Sequence, residues 1–207
     1  MKKVNRHYCL MAKILILVAG FIVSNGVAAG PEEDLQSGID AFNQGDLIAA
    51  MDHYRKAADA GVAEAQVRLA YILDYSEDND EAFGLYSAAA EQGNADGYYG
   101  LGEMTAKGEG TEQDFGKAVE FFVVAAENGN LRAIRLLARA YDDGELGVRT
   151  DPVLAGKWLI RAAEIGDSAS MQQLIAAYEN GTHGFEPNPE RVRYWNDRLK
   201  TEFPDND

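Results

Sequence analysis

The chain has 207 residues, 46% of them hydrophobic, which is enough for one buried domain or a short array of repeats. Its formal net charge of −15 argues against binding to nucleic acid or to anionic lipid, because both normally require a basic patch. The single cysteine, Cys9, lies near the N-terminus. The rest of the chain therefore has no disulfide, no thiol nucleophile and no thiolate metal ligand.

The first 29 residues have the three parts of a cleavable export signal. A basic start precedes an apolar run from 14 to 23, and small residues at 27–29 close the segment. The run is shorter than the ~20 residues that a membrane-spanning helix needs. We therefore predict that 1–29 is a Sec signal peptide, that the mature chain begins at Gly30, and that it is periplasmic or secreted without membrane insertion. The alternative is an uncleaved signal that stays as an anchor, and Met11 is an alternative start.

Segments with helical periodicity, separated by glycine or acidic turns, follow the predicted signal. The first carries apolar residues at i, i+4 and i+7, which is typical of one helix face: Leu35, Ile39 and Phe42. The second, 47–60, is followed by Gly61, where glycine permits the left-handed conformation that reverses the chain. The third, 63–74, returns with small and large apolar residues at a spacing of four. We therefore predict pairs of antiparallel helices.

Two alanines followed by a glycine three residues later form a motif that occurs four times, at 57–61, 89–93, 125–129 and 162–166. The glycines are 32, 36 and 37 residues apart, which is the spacing of helical solenoids. The seventh residue before each glycine is large: Tyr54, Tyr86, Phe122 and Leu159. The eighth residue after each is leucine: Leu69, Leu101, Leu137 and Leu174. Alanine lets helices approach closely while the large residues fill the space between them, and the pairs form a core by stacking.

This register resembles the Sel1-like repeat family, a relative of the tetratricopeptide repeats, over roughly 32–199. Loops that contain two nearby glycines and then aspartate or proline strengthen the resemblance, at 108–114, 144–151 and 180–189. The segment 74–81 departs from the pattern because it is acidic and lacks the paired glycines. Its carboxylates lack the glycine and glutamate of a calcium-binding EF-hand loop. We therefore expect a solvated turn, with Asp78 or Asp80 capping the next helix, and no metal.

The resemblance implies an all-α, right-handed α-solenoid of about ten helices in antiparallel pairs. We expect a leading helix pair at 30–61, Sel1-like repeats at 62–186, and a capping helix and tail at 187–207. The motif residues are then scaffold, and Trp158 and Trp195 are core residues before they are ligand contacts. His53 and His183 are far apart in the chain, without a convergent carboxylate pattern, so a catalytic pair is not predicted.

The resemblance also implies a function, namely a non-enzymatic scaffold, adaptor or regulator in the bacterial cell envelope. It would be a monomer without a cofactor that binds a protein or peptide partner on the concave face of the solenoid. The alternative is a hydrolase acting on cell-wall or β-lactam substrates, because cysteine-rich proteins similar to this family are credited with that activity. Those proteins carry disulfides that this chain lacks.

Three arginines form the one basic stripe in this acidic chain, at i, i+3 and i+7: Arg132, Arg135 and Arg139. The preceding repeat has Asp96 and Glu103 at matching positions. One interpretation is a ladder of ion pairs, Asp96–Arg132 and Glu103–Arg139. The other is a groove of tyrosine and arginine that receives a peptide or an acidic partner segment. The candidate binding residues are Arg68, Tyr71, Tyr98, Tyr99, Glu103, Arg132, Arg135, Arg139 and Gln172.

Overall fold

Ten α-helices joined by short turns make up residues 30–204, the part of the chain that the computed structural model describes. The predicted signal peptide and Cys9 lie outside these described residues. The helices are α1 (Pro31–Asn43), α2 (Leu47–Asp59), α3 (Ala63–Tyr75), α4 (Asn79–Glu91), α5 (Ala95–Lys107), α6 (Phe115–Glu127), α7 (Leu131–Asp143), α8 (Pro152–Glu164), α9 (Ser168–Asn180) and α10 (Pro189–Glu202). The predicted all-α solenoid of antiparallel helix pairs is confirmed.

The turns between helices use glycine and short polar side chains as the sequence predicts. The four motif glycines have left-handed φ angles between 80° and 92°: Gly61, Gly93, Gly129 and Gly166. Aspartate and asparagine side chains accept hydrogen bonds from the first backbone N–H groups of most helices: Asp46, Asn94, Asp114, Asn130, Asp151, Asp167 and Asn188. These caps mark where the seven helices that carry them begin.

The acidic turn between α3 and α4 differs in one detail from the expected cap. Asp78 stands at the N-cap position of α4, but its side chain makes no capping hydrogen bond. The turn instead reverses at Glu77, which has a φ of 65° where the other turns use glycine.

Among residues 30–204, no group of three or more histidine, cysteine, aspartate or glutamate side chains could hold a metal ion. No helix in that range has the length and apolar character needed to cross a membrane.

The core runs along the solenoid, because each helix packs against its neighbours in the chain and α3 also contacts α5. The alanines of the repeat register have no exposed surface: Ala50, Ala57, Ala82, Ala89, Ala118, Ala125, Ala155 and Ala162. Tyr54 and Phe122, at the predicted large positions, are among the most buried large side chains. The small positions therefore form the contacts between helices, and the large ones fill the space between pairs.

Glycines inside helices make room for aromatic rings from the neighbouring helix. A Cβ atom at Gly38 of α1 would lie 2.5 Å from Cδ1 of Tyr54, and one at Gly100 of α5 would lie 2.5 Å from Cδ1 of Tyr86. Both distances are shorter than a van der Waals contact between carbon atoms. Each ring therefore occupies the place of an absent methyl group, which brings tyrosines close to the odd-numbered helices.

Polar side chains also connect successive repeats. Arg161 of α8 donates to the carbonyl oxygens of Ala126 at 3.2 Å and Glu127 at 2.8 Å, at the end of α6. Arg198 of α10 makes the same kind of bond to the carbonyl of Glu164 at 2.9 Å. A cation at a helix C-terminus satisfies carbonyl groups that have no partner within the helix. Successive repeats are thus joined by hydrogen bonds from arginine side chains to helix C-termini, as well as by the core.

The last helix covers the exposed end of the core. Trp195 of α10 is 3% exposed and packs in the same buried cluster as Met171 and Leu174 of α9. The prediction that Trp195 is a core residue is confirmed. Trp158 is half-buried and packs between two clusters of the core.

Candidate functional site

A cavity of about 570 Å³ extends along the odd-numbered helices from α1 to the start of α7, and Tyr54 of α2 and Tyr86 of α4 also line it. We call it the tyrosine groove. Its most buried aromatic residues are Tyr54, Tyr86 and Tyr99, and its more exposed side chains include Arg68, Tyr71, Glu103 and Arg132. Several of these residues come from one face of α3 and one face of α5, since residues three, four or seven apart on a helix share a face.

Arg132 closes one end of the tyrosine groove by stacking on Tyr99. Its guanidinium carbon lies 4.3 Å from the centroid of the Tyr99 ring. Its Nη2 also donates to Oδ1 of Asp96 at 2.8 Å, and the Asn130 side chain donates to the same oxygen at 2.8 Å. The Asp96–Arg132 rung of the predicted ladder is therefore present.

Glu103 lies beside Tyr99 and accepts a hydrogen bond from the Tyr99 hydroxyl at 3.1 Å. Burial raises the pKa of Tyr99 to about 12, and the Glu103 carboxylate acts in the same direction. Burial also raises the pKa of Glu103, against the opposing effects of the Tyr99 hydrogen bond and the positive charges of Arg132 and Lys107. The positive charges and the hydrogen bond around Glu103 therefore do not fully offset the cost of burying its negative charge.

The second predicted rung, Glu103–Arg139, does not form. Arg139 donates from Nε to Oε2 of Glu145 at 2.8 Å, in the turn that follows α7. That turn is the start of the glycine-containing loop 144–151, and it brings the Glu145 carboxylate within reach of α7. Glu103 is left with the Tyr99 hydroxyl as its hydrogen-bond partner among residues 30–204.

The other end of the tyrosine groove combines a charged pair with aromatic side chains. Arg68 binds Glu64 one turn earlier on α3, through Nε at 2.9 Å and Nη2 at 2.7 Å. Tyr71 on the same helix is 57% exposed. Tyr54 is 1% exposed, and its hydroxyl lies near the Arg68 guanidinium without a hydrogen bond of ordinary geometry. Burial raises the pKa of Tyr54, and the positive charge of Arg68 acts against that rise.

A second cavity, also of about 570 Å³, receives the rest of the arginine stripe. Arg135 binds Asp167 of the next repeat, with Nε 3.1 Å from Oδ2. Asp167 also accepts hydrogen bonds from the backbone N–H and the hydroxyl of Ser170, at 3.0 and 2.6 Å. His183 lies on the same cavity, with Nε2 3.3 Å from Oδ2 of Asp142. The three arginines of the stripe are thus divided between two cavities, because Arg132 lines the tyrosine groove and Arg135 and Arg139 line the second cavity.

Two predicted site residues lie outside both cavities. Tyr98 is half-buried and packs against the core, while its neighbour Tyr99 lines the tyrosine groove. Gln172 is exposed, and its neighbour Gln173 lines the second cavity instead. Tyr54 and Tyr86 line the tyrosine groove but were predicted only as packing residues. Their residue type could have indicated this, because a tyrosine at a core position carries a hydroxyl that needs a hydrogen-bond partner and therefore often lies near a cavity or the surface.

Comparisons with known proteins agree with this architecture. The Sel1 repeat matches residues 36–62, 63–94, 95–130 and 131–167. The structure is similar to that of a Sel1 repeat protein from Oxalobacter formigenes, with a TM-score of 0.68 and 27% identity, covering 83% of this chain and 73% of that one. It is also similar to a protective antigen of uropathogenic Escherichia coli strains that displays this repeat fold, with a TM-score of 0.61 and 25% identity, covering 84% of this chain and 39% of that one.

Among curated proteins, the chain is 29% identical over 136 residues to the ERAD-associated E3 ubiquitin-protein ligase component HRD3B of Arabidopsis thaliana. The match covers 58% of this chain and 22% of that protein. The chain thus spans about a fifth of the length of this relative.

Proposed function

The chain belongs to the Sel1 repeat family, whose solenoids are protein–protein interaction scaffolds, and on this premise we propose that its tyrosine groove binds an extended segment of a partner protein. The groove lies on the first helices of successive repeats, the face that is concave in solenoids of this kind. Its volume of about 570 Å³ falls within the range of ligand-binding cavities. A groove that crosses several repeats suits an extended chain better than a compact ligand.

The observation that carries this proposal is the aromatic lining of the groove, with an exposed tyrosine at its edge. Tyr71 is 57% exposed, whereas Tyr86 and Tyr99 are buried in the wall of the groove. Tyrosine is enriched at binding hot spots because it provides a large contact area at a low cost in conformational entropy. The three residues together form an aromatic surface for the side chains of a partner.

The family match favours a scaffold over the hydrolase alternative, because Sel1-repeat solenoids are typically non-enzymatic. The geometry of the groove supports the same proposal. Its charged residues bind one another or a tyrosine hydroxyl, as Arg132 does with Asp96 and Glu103 does with Tyr99. Such interactions position a binding surface and do not by themselves activate a nucleophile.

We further propose that this scaffold acts in the cell envelope or outside the cell, as an adaptor or regulator. The proposal rests on the basic, apolar and small-residue parts of 1–29. N-terminal sequencing of the protein recovered outside the cytoplasm is expected to begin at Gly30. Recovery of a chain that begins at Met1 or Met11 would contradict cleavage.

Site-directed photo-crosslinking in the producing cell tests the binding proposal. A benzophenone amino acid would replace Tyr71, on the edge of the groove, and separately Tyr194 of α10, which does not line it. The two tyrosines are similarly exposed, at 57% and 50%, so they have similar access to proteins that collide at random. We expect a discrete adduct from position 71 and none from position 194. Equal labelling at both positions, or none at position 71, would contradict the groove as the binding site.

A further inference from the structure

The arginines of the tyrosine groove already have partners within the protein. Arg132 binds Asp96, with 2.8 Å between Nη2 and Oδ1, and Arg68 binds Glu64 at 2.7 Å. Each of these pairs adds no net charge to the groove. An acidic partner segment would meet guanidinium groups whose charge Asp96 and Glu64 already balance, so the arginine positions alone do not favour an acidic ligand.

Glu103 is the charged residue lining this groove that has no oppositely charged partner within 4 Å among residues 30–204. Its carboxylate is half-buried and accepts one hydrogen bond, from the Tyr99 hydroxyl at 3.1 Å. The lining side chains Glu64, Asp96 and Glu103 outnumber Arg68 and Arg132, so the groove is negative overall. Partial burial strengthens the attraction of Glu103 for a cation, because water screens the charge less there.

The aromatic side chains around Glu103 suit a lysine or arginine. Tyr86 and Tyr99 line the same cavity, and Tyr71 is more than half exposed on its edge. Tyrosine rings pack against the methylene groups of long cationic side chains and attract their charged ends through the ring face. The pairing of Arg132 with Tyr99, at 4.3 Å, shows that an aromatic ring of this groove already holds one cation in this way.

We infer that the tyrosine groove binds an extended segment of a partner protein that places a lysine or arginine side chain against Glu103. This inference rests on the proposed function and specifies its ligand. The overall charge of −15 attracts a basic segment to the protein from a distance, and Glu103 then determines where its cation lies.

Selection from a phage-displayed library of random peptides tests this inference on the purified protein. Peptides that compete with one another would be sequenced, and their affinities measured for the unmodified protein and for the variants Glu103→Gln, Tyr71→Ala and Glu120→Gln. Glutamine keeps the oxygen that accepts from Tyr99, so Glu103→Gln removes charge with little change in shape. Glu120 is exposed on α6 and does not line the groove, so Glu120→Gln is the matched control for a lost carboxylate.

We expect the selected peptides to be enriched in lysine or arginine, to lose affinity with Tyr71→Ala, and to bind Glu103→Gln on the order of tenfold more weakly. The control should change the affinity by less than about twofold. Peptides that depend on Tyr71 but are acidic, or that bind Glu103→Gln unchanged, would overturn this inference and leave the proposed function standing. If no selected peptide depends on Tyr71, both are overturned.

Discussion

The guanidinium carbon of Arg132 lies 4.3 Å from the centroid of the Tyr99 ring, so residues from two successive repeats form a stacked cation–aromatic pair. The same guanidinium donates to Asp96, and the same tyrosine donates to Glu103. Arg132 is therefore part of the wall of the groove, and its charge is already compensated. The charge available to a ligand is the negative one on Glu103.

Replacing Glu103 by glutamine should stabilise the folded protein at neutral pH. Burial raises the pKa of Glu103 above its unfolded value, despite Arg132, Lys107 and the Tyr99 hydrogen bond, and the negative charge of Asp74 adds to the rise. A carboxyl group of this kind favours folding fully below its unfolded pKa, and this contribution is lost as pH rises through the folded pKa. We expect the free energies of unfolding of the two proteins to agree below about pH 4 and to separate toward neutrality, with the variant more stable.

Urea unfolding followed by circular dichroism at a series of pH values measures this difference. If the variant is less stable than the unmodified protein at neutral pH, the charge of Glu103 stabilises the fold and is not reserved for a ligand. A gain in stability combined with weaker peptide binding is the pattern expected of a residue kept for function.

Gly100→Ala should destabilise the protein because the added methyl group would overlap the Tyr86 ring. A Cβ at Gly100 would lie 2.5 Å from Cδ1 of Tyr86. Overpacking of this kind costs about 1 to 3 kcal/mol. Gly84→Ala on α4 is the control, because no atom lies within 4 Å of its added Cβ and its backbone is helical. This control should be neutral or more stable by about 0.5 to 1 kcal/mol, and equal losses in both variants would refute the close contact.

Asp167→Ala should cost more stability than loss of an ordinary helix cap. Asp167 is 4% exposed, caps α9 and binds Arg135 of the preceding repeat. We expect a loss of about 2 kcal/mol, near the upper end for helix caps, against about 1 kcal/mol for the exposed cap variant Asp151→Ala.

The effect of Asp167→Ala should also depend on pH. Burial acts to raise the pKa of Asp167, but hydrogen bonds from Arg135 and Ser170 outweigh it, and the pKa is lowered. Such a carboxylate stabilises the fold above its unfolded pKa, and this stabilisation is lost as pH falls through the folded pKa. The stabilities of the unmodified protein and Asp167→Ala should therefore converge below about pH 4, and a constant difference across pH would contradict the ion pair.

Arg132→Gln distinguishes a basic ligand from an acidic one. Removing Arg132 makes the groove more negative, since Asp96 loses its positive partner, so basic peptides should bind several-fold more tightly at low salt. Arg139→Gln is the matched control, because Arg139 is exposed, binds Glu145 and does not line the groove. Arg139→Gln should change the affinity for basic peptides less than Arg132→Gln does. A loss of peptide affinity of tenfold or more in Arg132→Gln alone would favour an acidic ligand held by the arginine.

The repeat scaffold was predictable from the sequence because its contacts recur at a fixed spacing. The buried alanines and the left-handed glycines follow from a register that is visible in four copies. The Asp96–Arg132 pair was predictable for the same reason, since equivalent positions on successive first helices lie side by side.

The details of the site were less predictable because they depend on which way individual side chains point. Tyr98 and Tyr99 are adjacent, and neighbouring residues on a helix point in different directions, so only one of them reaches the groove. The partner of Arg139 depended on the shape of the loop that carries Glu145, which does not repeat. The position of the Tyr54 hydroxyl near the Arg68 guanidinium emerged only once its surroundings were known.

A double-mutant cycle between Glu103 and the basic residue of a selected peptide tests the central claim most directly. Four affinities are measured, combining the unmodified protein or Glu103→Gln with the peptide or its counterpart in which the lysine or arginine is replaced by glutamine. If the two charges meet in the groove, the combined change should differ from the sum of the single changes by about 1.4 kcal/mol, a tenfold coupling. Additive losses within about 0.5 kcal/mol would show that the cation lies elsewhere and would contradict the account.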